Sequence, residues 1–349
     1  MVILAKSGVY CSCMLASQPV LRLDKSLGKK LPAVRDNLSA VVLAGNRLWL
    51  GGDEGTELDR MTQGKDGNFA GHRRFDLRPL LKLPGDEDSE IDIEGLDVDN
   101  GFVWLVGSHA LKRRKPQDGL TVKKNRKRLS RVETEANRFT LARVPIDSKA
   151  APAKSVGSKR AARLEGDGNG NLLSRALAKD PHLRDFTRIP SKDNGIDIEG
   201  LAVRGMRAFV GLRGPVLRGW AVVLDLELKQ AGRYLKFARP PRKHFLQLGG
   251  LGVREMVVKG KDLLILAGPT MDLDGPVFVF RWAKALDEKK EVMVPAASLP
   301  LVLTVPFGAG YDHAEGMTRF GEQIMICYDS PAPARLVGPD GVRADVFDL

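Results

Sequence analysis

Apolar and polar positions along this chain fall into one phrase that returns five times. A polar or acidic residue precedes a short apolar strand, a turn, a second apolar strand ending on a small residue, and a polar loop. The phrase runs from Leu38-Ser39-Ala40-Val41-Val42 to Leu48-Trp49-Leu50-Gly51-Gly52, and from Ile93-Glu94-Gly95-Leu96 to Val103-Trp104-Leu105-Val106-Gly107. It returns from Ile198-Glu199-Gly200-Leu201 to Phe209-Val210-Gly211, from Glu255-Met256-Val257-Val258 to Leu264-Ile265-Leu266-Ala267-Gly268, and from Glu315-Gly316-Met317 to Ile324-Met325-Ile326-Cys327-Tyr328. Each copy predicts a β-hairpin. Repetition at a fixed interval predicts a radial or linear array of such units.

Measured from Ser39 through Glu94, Glu199 and Glu255 to Glu315, the intervals are 55, 105, 56 and 60 residues. Three agree and one is doubled. The doubled interval holds a basic run, one strand-like stretch at Phe139–Val144, an Ala/Lys/Gly-rich stretch and a helical pattern from Leu172 to Leu183. It lacks a second apolar strand pair, so it reads as an insertion at about 112–185. Third strands follow at Trp220–Leu228 and Val277–Trp282, and a fourth at Leu301–Val305. Four strands per ~55 residues fit a β-propeller blade better than a solenoid coil. The expected fold is all-β: a β-propeller of five four-stranded blades with a basic, partly helical insertion. Six blades is the alternative.

Strand-like segments at Val20–Asp24 and Ala344–Leu349 would seal such a ring by pairing side by side, leaving no open edge. Residues 20–349 then form a single domain behind a poorly ordered extension, 1–19. At 43% apolar and 28% charged, the chain can bury a core. Its formal charge of +12 points to polyanions or anionic ligands. Three cysteines, two of them at Cys11 and Cys13, give no disulfide framework and indicate a reducing compartment. No apolar run is long enough to span a bilayer. The expected location is the cytoplasm, with export the alternative should the short apolar stretch Val9–Ala16 act as a signal.

The phrases Asp197-Ile198-Glu199-Gly200-Leu201-Ala202-Val203, Gly211-Leu212-Arg213-Gly214-Pro215, Gly107-Ser108-His109-Ala110-Leu111-Lys112 and Tyr328-Asp329-Ser330-Pro331 resemble those of a bacterial family known as domain of unknown function 3616. The resemblance runs from about Leu38 to the C-terminus. It implies a propeller-like fold and no assigned activity or catalytic residues.

In a propeller the start of the first strand and the end of the second lie on one face of the disc. That places Glu94, Glu199, Glu255 and Glu315 on one rim, where converging carboxylates need protons or a bridging cation. Hard divalent cations, Ca²⁺ above all, suit such oxygen ligands. A structural role, accepting backbone N–H groups from the neighbouring unit, competes with this reading. Residues that break the repeat are better candidates for chemistry: His109, Arg213, Asp272 and His313, with Asp53, Asp197 and Asp329 on the same rim. Lys112, Arg113, Arg114, Lys115, Lys123, Lys124, Arg126, Lys127, Arg128 and Arg131 form a basic patch that can steer an anionic ligand. Without interleaved aromatics it does not suit sequence-specific nucleic-acid reading.

No nucleophile elbow, zinc-protease motif or phosphate-cradling loop occurs, so no nucleotide cofactor is expected. Two functions follow. One is a metal-assisted hydrolase of a small anionic ester, phosphate or lactone. The other is a non-catalytic propeller that binds a small anionic ligand or a protein. A metal with an open coordination position favours the first, and salt bridges between Arg213 and the glutamates favour the second.

Overall fold

The computed structural model describes residues 14–349. The five phrases form five antiparallel hairpins: Leu38–Ala44 with Arg47–Gly52, Ile93–Asp99 with Phe102–Gly107, Asp197–Arg204 with Arg207–Gly214, Gly252–Lys259 with Asp262–Gly268, and His313–Phe320 with Gln323–Asp329. Their tight turns need left-handed backbone, supplied by Gly45, Gly101, Gly205, Gly260 and Gly321.

The first strand of every hairpin ends its sheet, and these five inner strands follow one another in chain order round an axis. Small residues let them approach. A Cβ on Gly95 would lie 2.7 Å from Leu201 Cβ, and one on Gly316 would lie 2.8 Å from Val41 Cγ1. The Leu43 N–H donates to Thr318 Oγ1 at 2.9 Å, joining the last inner strand to the first. The result is a strand-rich, propeller-like ring that is nearly closed.

Outer strands extend each hairpin away from the axis. Glu57–Gln63 and Phe69–Asp76 complete the first sheet, Ala221–Ala231 and Arg242–Leu246 the third, and Val277–Trp282 and Leu301–Val305 the fourth. Leu141–Pro145 and Ala162–Leu164 complete the second, so two strands of that sheet come from within the expected insertion. What exceeds a plain unit there is a basic arm and a helical stretch. The arm pairs Lys112–Arg113 with Val132–Glu133 around a largely exposed helix, Val122–Leu129, with no buried residue. The helical stretch begins at Leu172–Leu177, capped by Asn171, which accepts the N–H groups of Leu173 and Ser174 at 2.9 and 3.0 Å.

Both chain ends pair, with a shift from expectation. Leu15–Ser17 joins Asp345–Phe347 as the outermost strand of the fifth sheet. Val20–Arg22 instead joins Gly341–Arg343 and touches the first sheet at Phe69. The extension expected at 1–19 therefore contributes a strand, while residues 1–13 lie outside the described part. Asp345 fastens this closure by accepting from Tyr328 Oη at 2.7 Å, Gln18 Nε2 at 2.7 Å and Arg335 Nη2 at 2.9 Å.

The core lies between neighbouring sheets. Trp104 and Val106 of the second pack with Ile198, Leu201 and Val210 of the third, all nearly inaccessible to solvent. Large buried aromatics and branched aliphatics at alternate positions hold adjacent sheets face to face.

Candidate functional site

Every inner strand carries a β-bulge at the same point of its register. Pairing skips one residue between Leu38 and Ala40, Ile93 and Gly95, Ile198 and Gly200, Val253 and Glu255, and Ala314 and Gly316. The skipped residues are Ser39, Glu94, Glu199, Arg254 and Glu315. A bulge removes a residue from the ladder and re-aims its side chain. Here Glu94, Glu199, Arg254 and Glu315 line one cavity of about 320 Å³ at the axis, and the Ser39 hydroxyl donates to Asp53 on its wall.

This register corrects the expected set of four rim glutamates. In the fourth unit the axial position belongs to Arg254. Glu255 occupies the small-residue position of Gly95, Gly200 and Gly316 and faces away from the cavity. Its Oε1 accepts the N–H groups of Leu201 and Met256 at 3.0 and 2.8 Å. Complete burial pushes Glu255 well above the usual carboxylate range, the two backbone N–H groups pulling the other way.

The cavity also gathers Asp53, Arg213, Asp272, His313 and Asp329, together with Lys115 and Lys192. Arg213 and Arg254 form one side of its charge balance. Arg213 Nη1 donates to Glu199 Oε1 at 2.7 Å, its Nε to the Pro269 carbonyl at 3.1 Å, and its Nη2 to the Met271 carbonyl. Arg254 Nη1 pairs with Glu315 Oε1 and faces Glu199 Oε2 at 4.0 Å. Glu199 Oε2 is buried without a hydrogen bond.

On the other side, acids predominate. One oxygen each from Asp53, Asp92 and Glu94 lies within 4.8 Å of the other two. Arg138 Nη1 reaches Asp92 Oδ2 at 2.6 Å, whereas Glu94 has no hydrogen-bond or ion-pair partner among the described residues. Burial, then the neighbouring Asp92 and Asp329, pushes Asp53 up to about 7. Burial lifts Asp92 to about 6 and raises Glu94 well above its ordinary value, the surrounding carboxylates adding to the effect. Burial and Glu199 raise Asp197, behind the wall, to about 6. Such an all-oxygen set, short of positive partners, fits a hard divalent cation.

His313 is half exposed to the cavity. Its Nδ1 lies 3.5 Å from Asp329 Oδ2 and its Nε2 3.0 Å from Asp274 Oδ1. The Asp329 and Asp274 hydrogen bonds raise its proton affinity. Asp272 sits at the mouth, 4.0 Å from Lys115 Nζ, and is mostly exposed.

His109, expected as a base or ligand, is elsewhere and fully occupied. Its Nδ1–H donates to the Gly107 carbonyl at 2.8 Å, which leaves Nε2 to accept from Asn171 Nδ2 at 2.9 Å. Burial lowers it to about 4, so it is neutral. Of the basic patch, only Lys115 reaches the cavity. Arg113 pairs with Asp193 and Arg114 with Glu133, while Lys123, Lys124, Arg126, Lys127 and Arg128 belong to the arm's exposed helix. Sequence reasoning missed Arg254, Arg138 and Lys192. Arg254 was accessible by aligning Val253-Arg254-Glu255-Met256 with Ile198-Glu199-Gly200-Leu201 on apolar positions, which restores a spacing of 55 from Glu199.

Fold and site together define a propeller-like all-β protein with an ionised pocket on its axis. The chain belongs to the family described as "Protein of unknown function (DUF3616)", whose pattern matches residues 37–345. No curated protein matches it. Among solved structures it is similar to glutaminyl cyclase of Myxococcus xanthus, at 8% identity and TM-score 0.44 over 97% of each chain. It is also similar to an exo-1,5-alpha-L-arabinanase from a bovine ruminal metagenomic library, at 9% identity and TM-score 0.41 over 89% of this chain and 92% of that one. A GH43 beta-1,3-galactosidase is similar at 9% identity and TM-score 0.44 over 90% of each. Likenesses this distant say nothing about chemistry. Among the described residues, no helix is long and apolar enough to cross a membrane.

Proposed function

We propose that residues 20–349 form one five-bladed propeller of the cytoplasm, and that its axial cavity is a cation-dependent hydrolytic site for a small anionic ester, phosphate or lactone. The observation that carries this reading is the triad Asp53, Asp92 and Glu94, three converging carboxylates of which Glu94 has no hydrogen-bond or ion-pair partner among the described residues. Asp53, Asp92 and Glu94 would hold the ion, Ca²⁺ being the best match to flexible oxygen ligands. Bound there, a divalent cation supplies Lewis-acid polarisation of an ester or phosphoryl oxygen.

The chain's own residues divide the remaining work. Glu315, raised to about 7 by burial and flanking acids, is poised to take a proton from attacking water near neutral pH. His313, bridging Asp329 and Asp274, exchanges that proton with solvent. Lys192 and Lys115 present positive charge at the mouth to an anionic substrate.

The test is calorimetry and thermal melting of chelator-treated protein with Ca²⁺, Mg²⁺, Mn²⁺ and Zn²⁺, then hydrolysis of chromogenic acetate and phosphate esters and of simple lactones. Stabilisation that Glu94→Gln abolishes, with cation-dependent turnover, is the expected result. No response to any of the four ions sinks the reading.

One observation favours a second function, a non-catalytic propeller that binds a small ligand or protein. All three nitrogens of Arg213 already donate, to Glu199 and two backbone carbonyls, which ties the guanidinium to the protein and not to a substrate. Cation binding without turnover is its signature.

A further inference from the structure

A second cavity, of about 360 Å³, lies on the outer flank of the second sheet. It opens between the short helix Arg78–Leu81, the hairpin formed by Ser155–Val156 and Lys159–Arg160, and the turn at Gly232–Arg233. Its chemistry differs from that of the axis. Leu80, Leu81 and Ala161 line it with apolar surface, while Lys82, Lys154, Arg160 and Arg233 supply four cations. No carboxylate lines it, and none of the four cations has an ion-pair partner among the described residues.

The fold fixes the backbone beneath three of these cations, and all four side chains reach solvent. Lys82 ends its helix in left-handed backbone, its N–H donating to the Arg78 carbonyl, and its own carbonyl accepts Arg163 Nε at 3.2 Å. The Lys154 carbonyl accepts the Ala161 N–H at 3.0 Å. The Arg233 carbonyl accepts the Arg163 N–H at 3.2 Å, and its guanidinium lies 5.1 Å from the Tyr234 ring centre. Behind the wall, Arg163 is buried and also lacks an ion pair, donating only to the carbonyls of Lys82, Leu164 and Gly166. Positive charges gathered without a counter-ion repel one another, and a buried guanidinium facing only carbonyls is incompletely neutralised. A ligand dianion would relieve both costs, and a phosphate offers the oxygens that lysine and arginine fork best.

We infer that this flank cavity binds a small phosphorylated ligand, its phosphate among Lys82, Lys154, Arg160 and Arg233 and its apolar part on Leu80, Leu81 and Ala161. The site is independent of the axial reading, and either can fail without the other.

Titration calorimetry of the chelator-treated full chain with phenyl phosphate tests it, with the cation-dependent axial site silenced. Saturable one-to-one binding is expected, with phenol failing to bind. Arg160→Glu and Arg233→Glu should each weaken affinity by roughly tenfold or more, as loss of a charge-assisted contact does. Lys124→Glu and Arg128→Glu on the arm should leave it unchanged. Absent or non-saturable binding overturns the proposal, as does equal weakening by the arm variants, which would mean nothing more than general surface charge. Recruitment to vesicles of phosphatidylcholine with phosphatidic acid, without phenyl phosphate binding, would overturn it in favour of a lipid headgroup.

Discussion

Replacing Glu315 by glutamine should change how stability depends on pH more than it changes stability itself. Glu315 rises from its ordinary 4.5 to about 7, chiefly by burial and then by Glu199, Asp329 and Asp53, against the opposing pull of Arg254. A carboxyl whose folded value is raised holds its proton more tightly in the native state. Its contribution is complete below the unfolded value and is lost as pH climbs through about 7. Between pH 5.5 and 8 the folded group stays protonated for about one and a half units longer than the unfolded one, worth about 2 kcal/mol at ~1.4 kcal/mol per unit. His109 works in the opposite sense. Its folded value of about 4 makes its contribution complete above its unfolded 6.5 and lost on acidification. That term is common to wild type and variant and cancels in their difference. The assay is urea unfolding of chelator-treated protein at pH 5.5 and 8, for wild type and Glu315→Gln. Wild type should lose about 2 kcal/mol more than the variant between the two pH values. Equal losses, or a larger loss in the variant, would refute the picture of a buried carboxyl at the axis.

Arg254→Met should cost about 3–5 kcal/mol at pH 8, because it leaves Glu199 and Glu315 buried without their shared cation. At pH 5.5, with Glu315 protonated, the loss should shrink, which paired unfolding curves will read. Glu255→Gln should lie within about 1 kcal/mol of wild type in the same measurement, since an amide oxygen can still accept from Leu201 and Met256. Asp345→Ala should destabilise by about 2–3 kcal/mol by leaving the buried Tyr328 hydroxyl without its partner and Arg335 with Asp312 as its one remaining carboxylate. Proteolysis near Leu15–Arg22 should accelerate with it, because that segment is held through the same closure.

The repeated apolar phrase made the hairpins legible, because two strands joined by a glycine turn leave a local signature that needs no tertiary information. In the second unit the third strand was legible only as an isolated strand-like stretch at Phe139–Val144, and the fourth was not legible. Ala162–Leu164 is three residues long and pairs with strands far from it in sequence, so its local pattern is no different from a loop's. The same holds for Leu15–Ser17, whose partner lies at the opposite end of the chain. His109 was misjudged for another reason. Its ring is satisfied by Asn171, a contact across 62 positions that also depends on Asn171 capping a helix. Uniqueness among repeats marked His109 as special without saying whether the cause was chemistry or packing.

The bulge explains why the rim was only half readable. Anchoring the alignment on glutamate placed Glu255 at the axis, although an apolar residue on each side fixes a strand's facing more strongly than one acid does. With Val253 and Met256 as the frame, the axial set is serine, two glutamates, an arginine and a glutamate, and its asymmetry acquires a physical meaning. Arg254 stands where a fourth glutamate would have deepened the repulsion, between Glu199 and Glu315, and it neutralises that half of the ring. On the other side Arg138 pairs with Asp92, while Glu94 has no hydrogen-bond or ion-pair partner among the described residues and lies among further acids. Charge compensation by the protein is thus heavier on the Glu199 and Glu315 side of the axis than around Glu94. If the less compensated side were purely architectural, Glu94→Gln would stabilise the chelator-treated protein at pH 8 by removing a buried charge and would leave its response to Ca²⁺ unchanged. A stabilised variant that no longer responds to Ca²⁺ would instead mark Glu94 as a residue held at a cost to the fold for the ion it binds.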